Sequence, residues 1–173
     1  EQAKSIIGLG VEKVAISSAA IENPKLISQV AKEIGSQSIV VVLDIKKNKR
    51  SGNYEVWTRN GQSNTGRAPA QVAAQVEKLG AGEIVVNSID NEGLMKGYDF
   101  AMVEEVREVT TLPMTALGGA GSLEDIGELI RRFGIIAAGV GSLFVFKGVY
   151  KAVLINYPNP DEKDRLIREY LSA

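Results

Sequence analysis

The 173-residue chain has no cysteine and no histidine. The first absence excludes disulfides and thiolate metal ligation, and makes a reducing, cytoplasmic compartment the expectation. The second removes Ser-His-Asp and Cys-His catalysis and most zinc sites. Proton transfer then falls to Asp, Glu, Lys or Tyr. Charge of one sign is also scarce: the net charge is −1, so nothing draws nucleic acid or an acidic membrane. The basic pairs Lys46-Lys47 and Arg131-Arg132 are too short to make a patch. No apolar run reaches the roughly 20 residues of a membrane span. No secretory signal pattern is present. No cluster of ligating side chains calls for a metal, and no cofactor is expected.

What is present fits one domain over residues 1–173. Hydrophobic residues make up 45% and charged residues 24%, and no linker or shift in composition divides them. The chain alternates strand and helix signals. Val14–Ser17, Ser38–Ile45, Glu83–Ser88, Pro113–Leu117 and Ile135–Val140 read as strands. Asn23-Pro24 opens a helix to Ile34, closed by Gly35. Pro69–Leu79, Tyr98–Val109 and a helix capped by Ser122 and ending at Phe133 follow. Lys46–Thr58 is polar and alternating around Ser51-Gly52-Asn53, which predicts a hairpin inserted after the second strand. Val149–Ile155 is expected to be a short helix, and Asp161–Leu171 a terminal one.

Five strands in βα order fit either an open sheet or part of a barrel. A repeat favours the barrel. Gly10 to Ser18 and Gly134 to Ser142 are each a glycine, an apolar run and a closing serine, with the serines 124 positions apart. Half of a (β/α)8 barrel takes about 125 residues. Eight strands close a barrel, so three are absent from this count. The chain also begins inside the helix-like stretch Glu1–Gly8, which leads to the expectation that further residues preceded it. Leu117-Gly118-Gly119-Ala120-Gly121 adds a glycine-rich strand-to-helix turn, where backbone N–H groups can meet an anion. Ser17, Ser18, Gly118, Gly119, Gly141 and Ser142 are therefore candidate grips for a substrate with two phosphates. The plainer alternative for Gly118-Gly119 is a tight turn. Asp44 ends the most apolar strand and should face the catalytic rim of a barrel. An apolar wall there would raise its pKa and suit it to acid/base work. Its plainer alternative is a loop cap.

Gly80 to Asp90 with Gly97-Tyr98-Asp99, together with Asn23-Pro24, Gly35-Ser36-Gln37, Leu43-Asp44, Asn64-Thr65-Gly66 and Gly118 to Gly121, resembles the cyclase subunit of imidazole glycerol phosphate synthase. The resemblance covers nearly the whole chain. It implies a (β/α)8 TIM barrel, here its last five strands, served by a glutaminase of the class I amidotransferase type. Ammonia from the partner crosses the barrel and cleaves a bis-phosphorylated aminoimidazole-carboxamide ribonucleotide. The products are imidazole glycerol phosphate and an aminoimidazole carboxamide ribotide. On this resemblance Asp44 is one of two catalytic aspartates. The other belongs to the absent first strand, so the isolated chain is expected to be inactive. Asn64, Thr65, Gly66, Asn87, Glu92 and Gly93 join the substrate-binding set. Lys13 and Glu83 belong to a charged ring at the ammonia entrance, and Glu12 to the glutaminase interface. Without the family, these three are surface charges at strand ends.

The chain departs from the family pattern at the rim. Ser17-Ser18 stand for asparagine-threonine, Asn87 and Leu94 for threonine, Glu92 for aspartate and Leu117 for serine. The tail from Phe146 to Pro160 is instead similar to paralogues from surface-polysaccharide clusters associated with acetamidino modification of sugars. Two alternatives to the histidine-pathway cyclase therefore stand. One is a paralogue passing ammonia toward a sugar pathway. The other is a non-catalytic scaffold that activates a glutaminase.

Overall fold

The computed structural model describes residues 1–148 and 150–171. Its centre is a mostly parallel sheet. The parallel strands are β1 (Val14–Ile16), β2 (Ile39–Lys47), β5 (Glu83–Ser88), β6 (Met114–Leu117) and β7 (Ala137–Ala138). Each pairs with the next in chain order: Val14 with Ile39, Val41 with Ile84, Ile84 with Met114 and Thr115 with Ala137. That sequential order is the one a strand-helix barrel uses; a doubly wound sheet reverses direction part-way along. The chain is thus an α/β fold, with α1 (Gln2–Gly8), α2 (Ser18–Glu22), α3 (Lys25–Ile34), α4 (Pro69–Lys78), α5 (Phe100–Arg107) and α6 (Leu123–Phe133) between and before the strands.

The two sheet faces differ in what they bury. Ile39, Val41, Leu43 and Ile45 of β2, and Ile84 and Val86 of β5, are wholly buried. They pack with Ile27 of α3, Val72 and Val76 of α4 and Val103 and Val106 of α5 in one core. Side chains alternate across a strand, so Val42, Asp44, Val85, Asn87, Thr115 and Leu117 point to the other face, which is only half-buried. At about 25 cal/mol per Å2, it is the helix-covered face that holds the sheet. The second face is left polar enough to do something else.

The predicted hairpin is present and larger than expected. β2 runs on to Lys47 and pairs antiparallel with β3 (Tyr54–Thr58), which pairs with the two-residue β4 (Ser63–Asn64). Asn48 folds its tip: the side-chain oxygen accepts from the backbone N–H of Arg50 at 2.9 Å and of Ser51 at 3.2 Å. Of the two helix caps read in the sequence, Ser122 is found and Asn23 is not, since α3 starts after Pro24 with no side-chain cap bond. Asp99 accepts from the Met102 N–H at 3.2 Å. Ser122 and Asp125 form a reciprocal capping box at the head of α6.

Two further expectations fail. The last strand shrinks from Ile135–Val140 to Ala137–Ala138, because Gly134 turns with φ 65° and Gly139 packs against Leu117 and the Ala116 carbonyl. Of the expected helix over Val149–Ile155, Val149 lies outside the described residues. The rest is no helix: β8 (Phe146–Lys147) pairs antiparallel with β9 (Ala152–Val153). Gly148 and Lys151 both take positive φ, 72° and 49°, which suits a turn and opposes a helix. Beyond it, α8 (Pro160–Leu171) packs on α6.

Candidate active site

Because the five strands are parallel, their C-terminal ends lie along one edge. Asp44, Asn87 and Leu117 lie level across β2, β5 and β6 on the half-buried face. The row extends outward through Trp57 and Asn64 of the hairpin, since Asp44 pairs with Trp57 and Trp57 with Asn64. Sequence alone could name Asp44, Asn64 and Asn87 but could not place them in one line.

Asp44 is half-buried and held at both oxygens. Asn87 Nδ2 donates to its Oδ1 at 2.8 Å, and Ser17 Oγ to its Oδ2 at 3.3 Å. Two polar donors, from β5 and from the turn after β1, thus meet this carboxylate. The orientation of the Asn87 amide follows from chemistry, since a carboxylate only accepts. That leaves Asn87 Oδ1 buried with no donor, a group costing about 1–3 kcal/mol when unpaired. The fixed carboxylate can take or return a proton at the lone pairs the two donors leave free.

The repeat read in the sequence has a backbone counterpart. Ser18 is the first residue of α2 and Ser142 the first of α7 (Ser142–Val145). The residues just before them, Ser17 and Gly141, adopt similar and unusual angles: φ −103°, ψ −104° and φ −112°, ψ −85°. Ser18 Oγ accepts from the Arg59 N–H at 2.8 Å, which ties the hairpin to this turn. At the other turn, the loop after β5 comes close. A Cβ on Gly93 would lie 3.9 Å from Ser142 Oγ, and one on Gly141 would lie 3.9 Å from Glu92 Oε1. Glu92, Gly93, Gly141 and Ser142 thus share one corner, although Glu92 itself is exposed.

Gly118 and Gly119 have a packing reason to be glycine. Both take positive φ, 93° and 112°. A Cβ at Gly118 would strike the Ser88 carbonyl, and one at Gly119 the Gly97 carbonyl. The Gly97 N–H donates to the Gly119 carbonyl at 2.9 Å. Asn64, Thr65 and Gly66 are likewise engaged with their own hairpin. Asn64 Oδ1 accepts from the Gly66 N–H at 2.8 Å, and Thr65 Oγ1 donates to the Val56 carbonyl at 2.6 Å.

The opposite edge carries Lys13 and Glu83, joined at 2.5 Å. The hydrogen bond to Glu83 raises the Lys13 pKa above the ordinary lysine value. Glu83 also accepts from Thr115 Oγ1 at 3.2 Å. Glu12 is exposed beside them. These charges therefore sit at the strand starts, away from the edge that carries Asp44.

Sequential parallel strands, helices on one face and a polar row at the C-terminal edge define an α/β protein with a mostly parallel sheet, consistent with a strand-helix barrel family. The chain belongs to the histidine biosynthesis protein family, whose model matches residues 1–151, and to its HisF-like branch. It is 51% identical over 166 residues to a protein of Leptospira interrogans provisionally named imidazole glycerol phosphate synthase subunit HisF; the match covers 96% of this chain and 65% of that one. Against a subunit provisionally named hisF3 from Vibrio vulnificus (strain YJ016) the identity is 49% over 167 residues, 96% and 64% of the two chains. Against imidazole glycerol phosphate synthase subunit HisF of Lactococcus lactis subsp. cremoris (strain SK11) it is 43% over 141 residues, 82% and 54% of the two. The chain thus spans just under two thirds of the length of the relatives it matches most fully. No helix among the described residues is long and apolar enough to cross a membrane.

Proposed function

We propose that this chain forms the C-terminal five strands of a (β/α)8 barrel that works as the ammonia-dependent cyclase of imidazole glycerol phosphate synthase. Asp44 is the acid/base residue. The single observation that carries the reading is the doubly held Asp44 carboxylate at the C-terminal strand edge, flanked by two matching serine turns. Those turns hold the two phosphates of the substrate, one at Ser17-Ser18 and one at Gly141-Ser142 with Gly118-Gly119 beside it. Fixing both ends presents the bond between them to Asp44, and fixed geometry of this kind lowers a barrier without further chemistry. Ammonia enters past Lys13 and Glu83 from a glutaminase docked at the opposite edge, with Glu12 at that interface. It attacks the bis-phosphorylated aminoimidazole-carboxamide ribonucleotide while Asp44 moves the proton. The test supplies ammonium at high pH to the complete eight-stranded protein and follows loss of the intermediate by absorbance. Turnover that Asp44→Asn leaves unchanged would end this reading.

A second reading has its own observation. Relatives whose HisF names are provisional align over 164 to 167 residues of the chain, whereas those named HisF without qualification align over 141 to 154. The difference supports a paralogue whose ammonia serves acetamidino modification of a sugar. No turnover of the ribonucleotide by the folded full-length protein would favour it, whereas glutaminase activation that survives Asp44→Asn would point to the scaffold.

A further inference from the structure

The two basic residues Lys46 and Lys47 are too few for a patch in sequence, but the hairpin adds to them. Lys46, Lys47, Lys49 and Arg50 line one hollow of about 520 Å3 with Trp57 and Asp90. That size suits a small ligand. None of the four cations pairs with a carboxylate among the described residues. The nearby carboxylates are already occupied by neutral donors. Glu55 accepts from Asn48 Nδ2 at 3.0 Å and from Asn64 Nδ2 at 2.7 Å, and Asp90 from the Lys47 N–H at 3.0 Å. Lys46 is set in place: its ammonium stands 4.8 Å over the Trp57 ring and donates to the Gly61 carbonyl at 3.3 Å. The hollow therefore gathers positive charge on a chain whose net charge is −1.

We propose that this hairpin hollow, which borders the Asp44 row at Trp57 and Asn64, is a binding site for a diphosphate-bearing small molecule at a place distinct from the two serine turns. Lys46 and Lys47 lean over the Trp57 and Tyr54 rings at 4.8 and 5.2 Å, and Lys49 and Arg50 stand at the hairpin tip on long, flexible stems. Four cations around one hollow match several negative charges better than one phosphate does. A concave site that also contains Glu55 and Asp90 suits a compact anion, and it disfavours a long nucleic acid or an anionic membrane surface.

The test is calorimetric titration of the folded chain with inorganic pyrophosphate, orthophosphate and sulfate. Pyrophosphate is expected to saturate and to bind at least about tenfold more tightly than the other two. Lys49→Gln with Arg50→Gln should weaken it by about tenfold or more, the loss of one to two charge-assisted contacts. Arg131→Gln with Arg132→Gln removes the same charge from α6 and should change the affinity less than about twofold; circular dichroism checks both pairs for folding. In the unaltered protein, pyrophosphate should shift the amide resonances of residues 46–57. Equal weakening by both pairs, absence of saturation, shifts confined to the two serine turns with none in residues 46–57, or tighter binding of a DNA oligomer or anionic vesicles would overturn the proposal. Asp44→Asn should leave pyrophosphate binding intact, so its failure and that of the cyclase reading are told apart.

Discussion

Asn87 holds Asp44. The amide on β5 donates to the carboxylate on β2 at 2.8 Å across a parallel register that sets the two residues level. The same amide leaves its own oxygen buried and unpaired. Asn87→Val therefore removes a bond to a charged group worth about 1.5–3 kcal/mol and an unpaired acceptor costing about 1–3 kcal/mol. These offset, so denaturant unfolding should change by less than about 1 kcal/mol. On the proposed cyclase reading, ammonia-dependent turnover of the complete barrel should still fall, because the carboxylate is free to rotate. A stability loss well above 2 kcal/mol would show that the oxygen is satisfied after all.

Gly119→Ala should lower thermal stability more than Gly66→Ala, although both glycines have positive φ, 112° and 67°. A Cβ at Gly119 meets the Gly97 carbonyl and the Asn91 side chain, whereas one at Gly66 meets nothing within 4 Å. Gly66→Ala costs only the backbone strain of about 1–2 kcal/mol. Gly119→Ala adds overpacking of about 1–3 kcal/mol. Equal melting temperatures for the two variants would contradict the close approach.

At Gly127 of α6, a Cβ would collide with the Tyr170 ring of α8. Gly127→Ala should therefore loosen α8 while improving the intrinsic propensity of α6 by about 1 kcal/mol. Limited proteolysis reads the balance: faster cleavage between Pro158 and Leu171, with the sheet resistant, is the expected outcome. Unchanged cleavage would mean that α8 slides to make room.

Tyr98 is buried, with its hydroxyl donating to the Gly139 carbonyl at 3.0 Å. Burial raises its pKa above the ordinary tyrosine value of 10.0. The folded state thus holds this proton more tightly than the unfolded one. Its contribution is full below about pH 10 and is lost as the pH rises toward the folded pKa. Melting temperature should therefore fall with alkaline pH, and less steeply in Tyr98→Phe. Parallel slopes in the two proteins would refute the assignment.

Elements with a strong local signal were legible. Glu83–Ser88 is a strand over the range its apolar run predicted, and α6 ends at Phe133 before a positive-φ Gly134. The five-residue α2 gave no signal because it is too short to show a period. The tail misled because Val149 to Ile155 is apolar without an alternation to mark β9. At the site, Asp44 and Ser17 were legible as candidates, but the two donors on the carboxylate were not. The donors around Asp44 come from β5 and from the turn after β1, 43 and 27 positions away in the chain. Only the register of parallel strands brings them there, and no local rule supplies that register. The glycines at 118 and 119 were read as ligand grips; their first constraint is backbone crowding from the β5 loop.

Strand β2 shares its outer edge between two neighbours. β1 covers it from Ile39 to Val41 and β3 from Asp44 to Lys47, while β5 lines the inner edge from Val40 to Ile45. Amides so enclosed exchange with solvent only when a large part of the molecule opens. In heavy water β2 should retain its protons longest. Asp44 would then ride on the least yielding segment of the chain.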